Sequence, residues 1–143
     1  MKTLFASLVA FGLAAVCFSA AANDAPKEKA KVENRVFELR TYHAAPGKMK
    51  DLHARFRDHT CKLFEKHGMT IVGFWSPAEP AEAEKKLIYI LAFPSKEAAD
   101  KAWKAFREDP EWMSARKESE KNGALVEKVE SVYMNATDYS PMK

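Results

Sequence analysis

Two stretches without a single charge, Met69–Trp75 (MTIVGFW) and Leu87–Phe93 (LIYILAF), constrain this chain more than anything else in it. Both are β-branched and aromatic, and each has the length of a buried strand. The connection between them, Ser76–Lys86, is polar and carries two prolines but no packing face. The pair therefore reads as a β-hairpin in central positions of a sheet. A strand with no charged residue needs cover on both faces, and that requirement governs the rest of the reading.

The flanking segments supply the remaining elements. Arg35–Tyr42 alternates Phe37, Leu39 and Thr41 with Glu38, Arg40 and Tyr42, the period of a strand. Ala45-Pro46-Gly47 breaks it. From Lys48 to His67, the residues Met49, Leu52, Phe56, Thr60, Leu63 and His67 recur at spacings of three and four, which predicts a long amphipathic helix. Gly68 suits its left-handed exit, and Lys62, Lys66 and His67 suit its negative end. A second helix opens at Pro94-Ser95 with Ser95 as its cap and Ala98, Ala99, Ala102, Trp103 and Phe106 as its stripe. Asp109-Pro110-Glu111 starts a third, with Gly123 as the stop after Asn122. Leu125–Met134 is a last strand, and Asn135–Lys143 reads as loop. Trp103, Phe106 and Trp112 then pack two consecutive helices around a capped bend; an aromatic ligand box is the other use of such a cluster.

The order β-α-β-β-α-(α)-β predicts an α+β, ferredoxin-like chain: a four-stranded antiparallel sheet with helices on one face. One chain supplies helices for one face only. A second copy stacking its sheet on the first would cover the other, so a homodimer is expected, with the partner being the chain itself.

The first 22 residues have a different character. Lys2 precedes an apolar run, Leu4–Phe18, that ends in Ser19-Ala20-Ala21-Ala22, the pattern of a secretory signal peptide cleaved near Ala21 or Ala22. The run falls short of the roughly 20 residues of a membrane span. A lipid anchor at Cys17 is disfavoured by the branched Val16 before it. Residues 23–34, rich in Lys, Ala and Glu, read as a flexible linker, and the folded domain as residues 35–143. Periplasmic or secreted localisation follows, without stable membrane insertion after cleavage. Loss of Lys2 leaves 22 Lys and Arg against 20 Asp and Glu, a balance of +2 that gives no electrostatic case for nucleic acid. Cys17 also goes, so Cys61 has no intrachain disulfide partner. It reads as a partly buried helix residue, with a reactive thiol as the alternative and an intermolecular bridge as a further one.

Four ordered fragments, Phe37–Tyr42, Pro46-Gly47-Lys48, Gly73-Phe74-Trp75 and Trp103–Trp112, resemble the NIPSNAP family, and with their connections they cover nearly all of Arg35–Tyr139. The resemblance implies the dimeric α/β-barrel fold, here in a secreted bacterial-type member. It carries over no catalytic residue.

Most chemistry can be set aside. Along a helix at about 100° per residue, His53 and His59 point roughly 120° apart and His59 and His67 lie about 12 Å apart, so they cannot share an ion. HExxH, CxxC, GxSxG and GxGxxG are all missing, and no metal or cofactor is expected. What remains is Glu38, Arg40 and Tyr42 on one strand face. With Phe37 and Leu39 packed beneath the helices, these three face the dimer interior. They serve structurally, as a Glu38–Arg40 pair or paired with partners across the interface, with Tyr42 at the rim, or they form the polar floor of a small-molecule cavity. In the cavity, Arg40 would hold an anion or carbonyl oxygen, Glu38 would move a proton, and His59, otherwise a satisfied histidine at the core edge, would join from the edge of the helix stripe. The expected function is a non-enzymatic homodimeric module that binds a small hydrophobic ligand or a protein. The alternative, by analogy with other dimeric α/β barrels, is a cofactor-free monooxygenase- or isomerase-like enzyme acting on a small hydrophobic or aromatic substrate.

Overall fold

The structure is a computed structural model that describes residues 35–143. The leader expected over 1–22 and the linker over 23–34 lie outside the described residues. In chain order the elements are β1 (Val36–Ala44), α1 (Met49–Arg55), a π-helical segment (Phe56–Thr60), α2 (Cys61–Lys66), β2 (Thr70–Trp75), α3 (Pro80–Ala83), β3 (Lys86–Phe93), α4 (Lys96–Glu108), α5 (Pro110–Ser119) and β4 (Val126–Asn135). The four strands form one antiparallel sheet in the order β2-β3-β1-β4. This is the expected ferredoxin-like α+β arrangement. β3 is central, but β2 lies at the edge, which corrects the expectation that both uncharged strands are interior. The connection read as featureless polar chain contains α3, with Pro80 in its first turn and Glu82 paired to Lys85 and Lys86.

The long helix is not uniformly α. In its middle the Cys61 amide bonds back to the Phe56 carbonyl, and the Thr60 hydroxyl donates to the Arg55 carbonyl at 3.2 Å. One extra residue is absorbed there. At about 100° per residue a regular helix would place Phe64 roughly 120° round from Leu52. The insertion turns it back, and Phe64 is fully buried alongside Leu52, Phe56 and Leu63. Phe64, missing from the expected stripe, is thus its centre, whereas His67 lies at the flank.

β1 is turned the other way from the expectation. The core beneath the helices takes Leu87, Tyr89, Leu91 and Phe93 from β3, and these stand in register opposite Tyr42, Arg40, Glu38 and Val36. Glu38, Arg40 and Tyr42 therefore face the helices. Phe37, Leu39 and Thr41 lie on the face away from the helices with Ile88, Ile90, Val132 and Trp75, and of these Phe37 is itself buried. Hydrophobicity alone assigns the apolar set to the helix side; the helix side here supplies polar partners for the other set. A register shift in β2 between Ile71 and Gly73 lets Ile71 and Phe74 both reach the core. Gly73 leaves room for the Trp75 indole, which would lie 2.8 Å from a Cβ at that position.

The second and third helices start as expected. Ser95 accepts the Ala98 amide at 3.1 Å, and Asp109 accepts the Glu111 and Trp112 amides at 2.7 and 3.3 Å. Asp109 also binds His67 Nε2 and Lys66 Nζ, each at 2.7 Å, tying the end of α2 to the bend. These two partners, led by Lys66, hold its carboxyl below the usual carboxylate range. α5 ends at Ser119, sooner than expected, and the chain turns through Gly123 at φ 107° into β4. Among the described residues no helix is long and apolar enough to cross a membrane.

Candidate functional site

The bend at Asp109 delivers Trp112 onto Phe106, with ring centroids 4.5 Å apart, while Trp103 from the preceding turns packs edge-on to Phe106. Between this aromatic corner and the β1–β4 edge lies a cleft of about 290 Å³, with Arg40 and Tyr42 on its sheet side and Trp103 and Trp112 on its helix side. It reaches solvent past Val129 and Arg116. The aromatic cluster and the β1 polar set, which the sequence places apart, are walls of one space.

Glu38 is the anchor of the sheet side. It is 1% exposed, and its carboxylate accepts Arg40 Nη1 at 2.6 Å, Ser131 Oγ at 2.6 Å and Trp103 Nε1 at 2.5 Å. Three donors, one of them cationic, offset the desolvation of a buried carboxylate. Arg40 in turn stacks on the Trp103 ring, with its guanidinium carbon 4.3 Å from the centroid. The pair expected from sequence is made, and the indole that β1 meets is its third member.

The helix side holds an arginine that the sequence reading passed over. Arg55 is buried at the end of α1, donates to Glu120 at 2.9 Å and lies over Trp112 at 5.3 Å. Its position three residues after Leu52 and next to Phe56 places it on the buried stripe, and that spacing was the available signal. Glu120 also accepts Arg116 Nε at 3.1 Å. These two arginines outweigh partial burial and hold the Glu120 carboxyl below its ordinary range. Arg40 Nε and Arg55 Nε are buried with no hydrogen-bond partner, as is the hydroxyl of Tyr89, the β3 residue opposite Arg40. Burial, followed by the nearby Tyr42, holds the Tyr89 phenol protonated well above its usual range.

His59 does not join this set. It faces a separate hollow between α1 and α5, bordered by Asp51, Asp58 and Ser119. Cys61 is a free, half-buried thiol raised above its usual pKa by burial, then by Glu65, and it borders a third hollow with His53, Phe74 and Trp75. Neither supplies a nucleophile or base to the cleft. Among the described residues no group of three His, Cys, Asp or Glu side chains is placed to hold a metal ion.

Similar folds occur in solved structures. A NIPSNAP family protein of unknown function from Agrobacterium tumefaciens is 22% identical, matching 78% of this chain and 96% of its own with a TM-score of 0.65. A second protein of that family from the same organism is 18% identical over 76% of this chain and 99% of its own, with a TM-score of 0.66. A NIPSNAP-like domain protein from Burkholderia xenovorans is 12% identical over 76% and 90%, with a TM-score of 0.65. A comparison with curated proteins finds no match. The family model described as NIPSNAP matches residues 37–141, which takes in all four strands and both sides of the cleft. The chain belongs to the NIPSNAP family.

Proposed function

We propose that this domain is a small-ligand-binding module that works as a homodimer, holding its ligand in the cleft between the aromatic corner and the β1–β4 edge. The supporting observation is the pair of buried guanidinium Nε atoms without partners on opposite sides of one cleft. Buried donors are almost always satisfied, and a bound molecule or ordered water would satisfy these. The volume stands at the lower end of small-molecule sites, which run from roughly 300 to 1,000 Å³. The uncovered sheet face is where the partner copy docks. The leader read in the sequence would deliver the domain to the periplasm or outside the cell.

Binding is favoured over catalysis because the carboxylates on the cleft's arginines are already committed. Glu38 serves three donors and Glu120 two arginines, which leaves a poor general base in either. Native mass spectrometry of the protein purified from its own cells is expected to show one small molecule per protomer, released on denaturation. Protein that carries nothing, and whose Trp103 and Trp112 indole NMR signals ignore a small-molecule library, would refute this reading.

A further inference from the structure

We propose that the cleft ligand is an organic carboxylate with a flat apolar body, its carboxylate held between Arg40 and Arg55 and its body against Trp103 and Trp112. The inference rests on the ligand-binding reading above and specifies its chemistry.

Charge is the first argument. Five of the residues that line the cleft are Arg or Lys, and two are Glu. Counting Glu38, which lies behind Arg40, and Glu130, which pairs with Lys128 at 2.5 Å, four carboxylates face five cations, an excess of one positive charge. Glu120 is divided between Arg55 and Arg116, so these two guanidiniums share one counter-ion. An anion is the missing partner.

Geometry is the second. Each of the two arginines meets its carboxylate through Nη1, and in each the Nε is left buried and unpaired. The Arg55 side chain is only 4% exposed, so water does not readily stand in for the missing acceptor. A guanidinium presents its donors as a planar fork suited to two oxygens of a carboxylate. Each arginine is also stacked on an indole, which fixes the plane of the fork before anything binds.

The walls supply the third argument. Trp103, Trp112, Phe106 and Val129 give the same space apolar surface, with no use for a fully hydrated inorganic anion. Trp112 is only partly buried, and the part left free by Phe106 and Arg55 suits a flat apolar body. A phosphate would meet the charges and waste the indoles.

The test uses the NMR signals of the three indoles in the full domain, with Trp75 on the uncovered face as the internal control. The probes are phenylacetate and indole-3-acetate, their neutral amides phenylacetamide and indole-3-acetamide, and inorganic phosphate. The acids are expected to shift Trp103 and Trp112, leave Trp75 in place, and bind at least about tenfold tighter than the amides, since only they pair with the charged forks. Arg55→Lys keeps the charge beside Glu120 and removes the fork, and it is expected to weaken the acids about tenfold. If that variant does not fold, the acid-to-amide comparison on the wild type decides. Amides binding as tightly as acids would overturn the carboxylate and leave the ligand site standing. Phosphate binding tighter than either acid would overturn the organic body. No movement of either cleft indole with any probe would overturn both this inference and the reading it rests on.

Discussion

Glu38 sits with 1% exposure beside Arg40, whose side chain keeps 16%. Removing one member of such a pair leaves the other charge buried without its partner, which costs about 3–5 kcal/mol in dry settings. Arg40 retains some contact with water, so Glu38→Gln is expected to lower the urea unfolding free energy by about 3 kcal/mol. The double change Glu38→Gln with Arg40→Gln should cost clearly less than the sum of the two single changes; strict additivity would show that the pair is not coupled. Half of this centre could be read from the chain, because alternation along β1 places Glu38 and Arg40 on one face. Its other half could not. Trp103 lies 65 positions after Glu38 and Glu120 lies 65 after Arg55, and no local pattern reports which distant side chain fills a donor or acceptor. The face assignment failed for the same reason: Glu38 looks unfit for a core until the indole N–H is known to be waiting there.

Among the elements, the π segment has the largest leverage. It rotates Phe64 into contact with Trp103 and Phe106, at 5.5 and 5.0 Å between ring centroids, and so sets the aromatic floor beneath the cleft. Removing Asp58, an exposed residue inside the segment, should convert it to regular α-helix while leaving Phe64 in phase. Inserting one alanine after Asp58 should turn Phe64 out by about 100°. The insertion is then expected to cost about as much as losing a buried aromatic, ~3–5 kcal/mol, with the deletion much milder. Thermal unfolding of the two variants checks this, and equal damage from both would dismiss the phase argument. The element order, the caps at Ser95 and Asp109 and the hairpin were legible because each follows from side chains close in sequence. The π segment was not, since a stripe at spacings of three and four fits a plain helix equally well. β2 at the edge was also hidden: an uncharged strand reports that it needs cover, not which neighbour provides it.

At the scale of the molecule the sheet has two unlike faces. One carries the helices, the core and the cleft; the other presents Leu39, Ile88 and Ile90, together with Trp75 at 48% and Val132 at 54% exposure. A contiguous apolar face of this kind calls for a partner, and a second sheet of the same shape can interdigitate with it as in a sandwich. The homodimer proposed above follows from this face, and it leaves both clefts open because they lie across the sheet from it. Wild-type protein is therefore expected to sediment as a dimer at micromolar concentration and to melt at higher temperature as concentration rises. Val132→Glu places a carboxylate from each copy among the apolar residues of this face. It should raise the dimer dissociation constant about 100-fold or more while the isolated chain keeps its helical circular dichroism. The same variant separates the two halves of the functional proposal. A monomeric Val132→Glu that still binds the carboxylate probes would place the whole site within one chain, as the lining residues require. Loss of binding together with the dimer would mean that the second copy holds the cleft in shape through the sheet, and a wild type that sediments as a monomer would remove the dimer altogether.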